Sequence, residues 1–119
     1  LSKEPYGPVV RSDDVQWEAI VRRTLYALIN AEEYGVTSVN IESMMSARTP
    51  AIRRLLGVED DVGEDIGLRT PWMRDVIRSV GNYGEIYSRH FGAAAGTPLL
   101  RGQNALWLNG GLMYAPPVY

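Results

Sequence analysis

The chain has 119 residues, of which 45% are hydrophobic, and its formal net charge is −2. This length corresponds to one domain or a part of one, and the near-neutral charge gives no general attraction toward nucleic acid or an anionic membrane surface. The absence of cysteine excludes thiol catalysis, disulfide bonds and thiolate metal sites, and no apolar run approaches the ~18 residues of a membrane span.

The first residues predict an extended segment. The stretch EPYGP, residues 4–8, contains two prolines and a glycine, which exclude a helix there. The overlapping stretch PVVR, residues 8–11, is the best candidate for a short β-strand. The chain begins with LSKEP, without Met and without a signal peptide, so we expect a processed chain or a cut piece of a longer one.

The stretch from Asp13 to Gly35 predicts the longest helix. Asp13 and Gln16 have the spacing of a capping box, and Gly35 is a typical helix stop. The helical spacing i, i+3, i+4 connects Trp17, Ile20, Val21, Thr24, Leu25, Leu28 and Ile29. We expect four of these to form the main core stripe: Trp17, Ile20, Leu25 and Leu28.

Four shorter helices are predicted further along the chain. One starts near Ser38, and two begin with Thr-Pro, at residues 49–57 and 70–81. The fourth, residues 82–92, begins with the capping box formed by Asn82 and Glu85. Between them, the acidic stretch VEDDVGEDIG, residues 58–67, predicts a turn or a short helix.

From Ala93 onward the sequence is rich in glycine, proline and large apolar residues, which is not the polar composition of a disordered tail. It predicts extended chain that packs on another surface. The sequence therefore predicts a mainly α single domain, residues 1–119, with about five helices, one short strand and an extended apolar tail.

The histidine His90 is the first candidate for a functional site because it is the only one in the chain. It shares a helical stripe with Tyr83, Ile86, Tyr87 and Phe91, so we expect it on the buried side of that helix. A core or boundary histidine is favoured over a metal-binding or catalytic one. With one histidine, a single chain cannot build a classical zinc site.

A cluster of carboxylates within residues 58–67 is the second candidate. If this stretch is helical, Asp60 and Glu64 lie one turn apart on one face, as do Asp61 and Asp65. Dense carboxylates suit a hard cation such as Mg²⁺, Mn²⁺ or Ca²⁺, and an enzyme built on them would use Mn²⁺, Mg²⁺ or Zn²⁺. The spacing does not fit an EF-hand loop, and a solvated acidic surface is the favoured interpretation.

Three stretches, taken in order, resemble periplasmic amino-acid-binding proteins of ABC transporters. SKEPYGPVVRSDD, followed by QW and a long helix, is similar to the place where a strand crosses back from the second lobe of that family. VGNYGEIYSRHFG, residues 80–92, is similar to its closing helix. RGQNALWLNGGLMYAPP, residues 101–117, resembles the tail of the general L-amino-acid branch, and residues 35–70 resemble its helical insertion.

This resemblance implies a two-lobe α/β parent that clamps an amino acid between its lobes in the periplasm. Most residues that grip the ligand lie earlier in such chains, so no ligand-binding residue is carried over to this sequence, and no cofactor is implied. The chain would be the C-terminal part of the first lobe, without its central sheet and without the second lobe. His90 would then belong to a structural closing helix.

Three functions remain open. The first is a binding-protein fragment without a complete amino-acid site. The second is a small metal-dependent phosphoester hydrolase, a phosphoesterase or phosphodiesterase whose activity is gained on truncation and dimerisation. It would use a divalent cation with Asp60, Asp61, Glu64, Asp65 and His90. The third is a helical module that binds another protein. Loss of all activity in a chelator would distinguish the hydrolase from the other two.

A homodimer is also expected. The strand at residues 8–11 would have two unpaired edges, and the tail would expose many large apolar side chains. Two copies could pair their strands or exchange their tails about a two-fold axis, and so complete the partial lobe. No nucleic-acid partner and no membrane insertion are expected.

Overall fold

A computed structural model describes residues 6–96 and 98–118. These residues form five α-helices: α1 (Val15–Glu33), α2 (Ile41–Met44), α3 (Pro50–Leu55), α4 (Trp72–Val80) and α5 (Tyr83–His90). Three short 3-10 helices lie between and after them, at Glu64–Ile66, Gly102–Asn104 and Trp107–Asn109. The predicted mainly helical architecture is confirmed, whereas nothing in the described residues supports completion of the fold by a dimer.

The predicted strand at residues 8–11 is not formed. These residues have no regular secondary structure, and the described part of the chain contains no strand. Its one isolated bridge, between Leu106 and Met113, is in the tail. A strand is stable only beside a hydrogen-bonded partner strand, and the described residues place none next to this stretch.

Local capping interactions explain where the longest and the last helix begin. The N-cap of α1 is Asp14, one residue after the predicted Asp13, and its carboxylate accepts a hydrogen bond from the Trp17 amide at 2.8 Å. The predicted capping box of α5 is confirmed: the Asn82 side chain accepts from the Glu85 amide at 2.9 Å, and the Glu85 carboxylate accepts from the Asn82 amide at 2.7 Å.

The main core lies where the C-terminal half of α1 meets α3, α4 and the loops between them. Its fully buried large side chains are Val36, Ile41, Leu56, Met73 and Ile77. On α1 itself the buried residues are Ala27, Ile29, Asn30 and Ala31. Small residues on this part of α1 allow the neighbouring helices to approach closely.

The predicted core stripe on α1 is therefore wrong in its position. Trp17 is 52% exposed, and Ile20, Leu25 and Leu28 are only partly buried. The first half of α1 contacts the 3-10 helix Glu64–Ile66, through a hydrogen bond of 2.8 Å from the Gln16 side chain to the Ile66 carbonyl. Helical spacing identified an apolar face of α1. The helices that form the core, however, pack against the C-terminal half of α1 and not against its first half.

The tail packs on α1 through a second, smaller core. Leu106 and Ala115 are buried against Ile29, and the buried Asn30 side chain donates to the Pro116 carbonyl at 2.8 Å. Several large apolar side chains of the tail nevertheless remain exposed: Leu99, Leu100, Trp107, Leu108, Leu112 and Tyr114. The tail therefore packs on the helices with one side only.

No helix in the described residues is both long and apolar enough to span a lipid bilayer.

Candidate functional site

His90 is the last residue of α5, and its side chain is exposed. The prediction that it lies on a buried side is wrong. Tyr83, Ile86 and Tyr87 of the same helix are only partly buried, and no residue of α5 is fully buried. α5 packs toward α1 through Tyr83 in its first turn, and its last two residues, Arg89 and His90, are exposed.

The acidic stretch does not form the helix that would bring its carboxylates onto one face. Only Glu64–Ile66 is helical, as a 3-10 turn, and Asp60 has a φ angle of 60°, in the left-handed region. The one-turn spacing expected between Asp60 and Glu64, and between Asp61 and Asp65, therefore does not arise. All four carboxylates are exposed, and the described residues contain no group of three or more side chains suited to hold a metal ion.

Two of the predicted metal ligands form ion pairs with arginines. Asp65 accepts two hydrogen bonds from Arg23, at 2.8 and 2.7 Å, and these bonds hold the pKa of its carboxyl below the usual value. Asp60 accepts from Arg54 at 3.0 Å. A carboxylate already bound to a guanidinium is a poorer ligand for a cation, because binding the metal would break the pair.

The acidic stretch also closes the end of α3. Arg53 donates to Glu59 at 2.6 Å, and the Arg53 carbonyl accepts from the amides of Val58 and Glu59 at 2.8 and 3.3 Å. The chain turns directly after α3 because Gly57 takes a φ angle of 66°. These contacts give the acidic residues a structural role at a helix terminus.

Two concavities of the described residues are candidate amino-acid sites, and neither can enclose an amino acid. One is a cavity of about 30 Å³ between Asn30, Leu55 and Val118, which is room for about one water molecule. The other, of about 530 Å³, is an open groove beside residues 9–14 and Trp17. A ligand pocket normally surrounds most of its ligand, and an open groove of exposed side chains does not.

The structure also brings together a charged cluster that no sequence motif predicted. Arg101 of the tail donates two hydrogen bonds to the Glu32 carboxylate of α1, of which the Nη2 to Oε2 distance is 3.1 Å. The same guanidinium lies 5.4 Å from the ring centroid of Tyr83 and 5.6 Å from that of Tyr87, both on α5. Burial raises the pKa of Tyr83, which the charge of Arg101 partly offsets. Arg101 and Glu32 are 69 positions apart, so no local pattern connects them.

No protein-family model matches the chain. It is 52% identical over 120 residues to the general L-amino acid-binding periplasmic protein AapJ of Rhizobium johnstonii, and 52% identical over 118 residues to the glutamate/glutamine/aspartate/asparagine-binding protein BztA of Rhodobacter capsulatus. It is 50% identical over 119 residues to the putative amino-acid ABC transporter-binding protein YhdW of Escherichia coli. These matches cover 98–99% of this chain but only 35% of each relative.

A solved structure gives the same result. The chain resembles an ABC transporter periplasmic binding protein from Brucella ovis with glutathione bound, at a TM-score of 0.88 and 47% identity, over 92% of this chain and 35% of that one. Nothing in these comparisons supports a metal-dependent hydrolase. The predicted resemblance is therefore confirmed: the chain belongs to the amino-acid-binding periplasmic proteins of ABC transporters, as a segment that corresponds to 35% of their length.

Proposed function

We propose that this chain is the C-terminal, helical part of one lobe of a periplasmic protein that binds amino acids and delivers them to an ABC transporter. The observation that carries the proposal is the 50–52% identity to three such proteins over almost the whole chain. The match in fold to a solved binding protein, at a TM-score of 0.88, supports it independently of the names of the relatives.

The proposed ligands carry an α-amino and an α-carboxylate group. One relative is named for L-amino acids in general and another for glutamate, glutamine, aspartate and asparagine. In our proposal this segment shapes and supports the lobe, and the side chains that grip the ligand lie elsewhere in the parent protein. The concavities of the described residues are consistent with this, since neither could surround an amino acid.

The exposed apolar side chains indicate where the rest of the parent protein would pack. Val9 and Trp17 are exposed and line the open groove at the start of α1. Leu100 and Leu112 are exposed on the tail. Exposed apolar patches of this kind mark interaction surfaces. We propose that the two thirds of the parent that are outside this segment cover them.

A second copy of the chain is the alternative cover for these surfaces. The homodimer expected from the sequence would bury the tail of one copy against its partner. Either cover is compatible with residues 1–119 acting as one structural unit. Light scattering at low micromolar concentration distinguishes the two alternatives. A folded monomer at that concentration would exclude a second copy as what covers these surfaces.

A segment exchange tests the proposed function. The 119 residues of this chain would replace the matching 120-residue stretch of the Rhizobium johnstonii relative, and binding of L-amino acids would be measured by calorimetry. We expect the chimera to fold and to bind L-amino acids with a Kd within about tenfold of the intact relative, which corresponds to ~1.4 kcal/mol. The isolated chain should give no saturable heat with the same ligands.

Two controls make the result decisive. A chimera with Trp72→Ala, which removes a buried side chain of the segment, should lose stability and with it binding. A chimera with Glu64→Gln, a conservative change at an exposed polar side chain, should bind like the parent chimera. A chimera that folds but does not bind, or an isolated chain that binds an amino acid at micromolar concentration, would contradict the proposal.

A further inference from the structure

Residues 98–104, here called the strap, connect α5 to the part of the tail that packs on α1. Six of the seven strap residues are exposed, and Arg101 is the exception. The strap therefore buries no apolar side chain that could hold it in place. Leu99 and Leu100 point their apolar surface to solvent, with Leu100 96% exposed.

Arg101 ties the strap to α1 through its ion pair with Glu32. Its side chain is 24% exposed and that of Glu32 is 14% exposed, so the pair is largely removed from water. The Arg101 Nη2 atom also donates to the Asn104 carbonyl at 2.8 Å, which closes the strap on itself. A bidentate, partly buried pair of this geometry is stronger than a typical surface pair.

Contacts from α5 complete this arrangement. The rings of Tyr83 and Tyr87 lie beside the guanidinium, and the Tyr87 hydroxyl donates to the Leu100 carbonyl at 3.2 Å. Gly84 leaves the space that the pair occupies. A Cβ atom at position 84 would lie 2.8 Å from Glu32 Oε1 and 3.3 Å from Arg101 Nη1.

We propose that Arg101 is a clasp that fixes the strap to α1 and α5. It thereby determines where Leu99 and Leu100 lie on the surface. Without Arg101, the strap opens as a unit while the helical core remains folded. Segments with few buried apolar contacts open locally at a lower free energy than the core around them. The clasp acts in the chain itself and needs no bound ligand. Arg101 is thus a positioning residue.

Amide hydrogen exchange of the 119-residue chain, resolved by NMR, tests the clasp. The reporters in or beside the strap are the amides of Leu99, which donates to Phe91, and Asn104, which donates to Arg101. In Arg101→Ala we expect both to exchange about 10- to 100-fold faster, the range that corresponds to the loss of a hydrogen bond to a charged group. The amides of Ile29 and Ala31, in the buried half of α1, should keep their rates.

The matched control is Arg22→Ala, which removes an arginine from an exposed i, i+4 pair with Glu18 on the same helix. It should leave the strap amides unchanged, since exposed pairs of this kind contribute little. A second variant, Gly84→Ala, keeps both charges but places a methyl group against the Glu32 carboxylate. Because alanine favours helix more than glycine does, this variant should loosen the strap without loosening α5.

Acceleration at Leu99 and Asn104 in both Arg101→Ala and Gly84→Ala, with Arg22→Ala unchanged, would support the clasp. Three results would overturn it: strap amides that exchange equally fast in the unaltered chain and in Arg101→Ala, equal acceleration in the strap and in α1, or an effect of Arg22→Ala as large as that of Arg101→Ala.

Discussion

The helical core and the tail of this chain are held in place by different means. In the core, from the second half of α1 to the end of α4, large apolar side chains such as Leu56 and Ile77 are completely buried. In the tail, residues 98–118, the buried residues are Leu106, Ala115 and Val118, and the chain is otherwise tied by polar contacts to Glu32, Glu33 and Asn30.

The core and the tail should therefore respond differently to a substitution. Burial of apolar area is spread over many neighbours and gives the core a cooperative stability. A polar tether depends on two or three atoms in a specific geometry. Loss of one core side chain should therefore weaken the whole chain, whereas loss of one tether should release a short part of the tail.

The largest expected effect is in the core. Ile77→Ala removes a completely buried side chain of α4 and should lower the free energy of unfolding by ~2–5 kcal/mol, because it removes apolar burial and leaves a cavity. Urea denaturation measures this change. Val80→Ala, at a position on the same helix that is 39% exposed, is the control and should cost far less. An equal decrease in the free energy of unfolding for both variants would contradict the placement of Ile77 in the core.

A smaller and more local effect is expected at Gly111. A Cβ atom there would lie 1.9 Å from the Ala105 carbonyl oxygen, and the nearby Met113 amide donates to the same oxygen at 3.0 Å. Gly111→Ala should therefore force the backbone of the tail apart, at a cost of ~1–3 kcal/mol.

Faster exchange of the Met113 amide in Gly111→Ala would locate the change in the tail. Gly96→Ala is the control, because a Cβ atom at Gly96 meets nothing within 4 Å. If Gly111→Ala slowed or left unchanged the exchange of Met113, the close packing of the tail would be incorrect.

The smallest expected effect concerns Glu85, which links α5 to the loop after α1. Burial raises the pKa of Glu85, but hydrogen bonds from the Ser38 hydroxyl, the Asn82 amide and the Ser38 amide, with the charge of Arg89, outweigh it and hold the pKa below its usual value. A pKa lowered in the folded chain means that the ionised carboxylate stabilises the fold. That contribution is present above the unfolded-state pKa and is lost as pH falls through the folded-state pKa.

Glu85→Gln should therefore lower the free energy of unfolding by about 1 kcal/mol near neutral pH, the typical contribution of a cap. The gap between the two proteins should close as the pH of the denaturation experiment is lowered through the folded-state pKa of Glu85. Glu18→Gln, on an exposed ion pair with Arg22, is the control and should show a smaller gap at neutral pH. A gap that widens in acid would contradict the assignment.

Features that depend on contacts within a few residues could be predicted from the sequence. The Asn82 and Glu85 capping box and the helix stop at Gly57 are where the sequence placed them, and Gly57 has the positive φ angle that such a stop requires. The order of the motifs also gave the family correctly. The capping residue of α1 was displaced by one position, from Asp13 to Asp14, because adjacent aspartates offer the same chemistry.

Signals that depend on distant partners were missed. Periodicity put Trp17 in the core and His90 on a buried face, and both are exposed. The acidic stretch offered a helical arrangement of carboxylates, but arginines from two helices bind Asp60 and Asp65 in a turn instead. The pairing of Arg101 with Glu32 had no sequence signal.

Local signals along the chain located the helices of this protein to within a few residues, and the order of its motifs indicated the family. Caps and glycine stops are contacts between neighbouring residues, so the sequence contains both partners. Long-range packing settles that the second half of α1 is the buried half, that the last two residues of α5 face solvent, and that Arg101 pairs with Glu32. The sequence states whether a side chain is apolar or charged. Whether that side chain is buried or paired depends on which distant residues the fold places next to it.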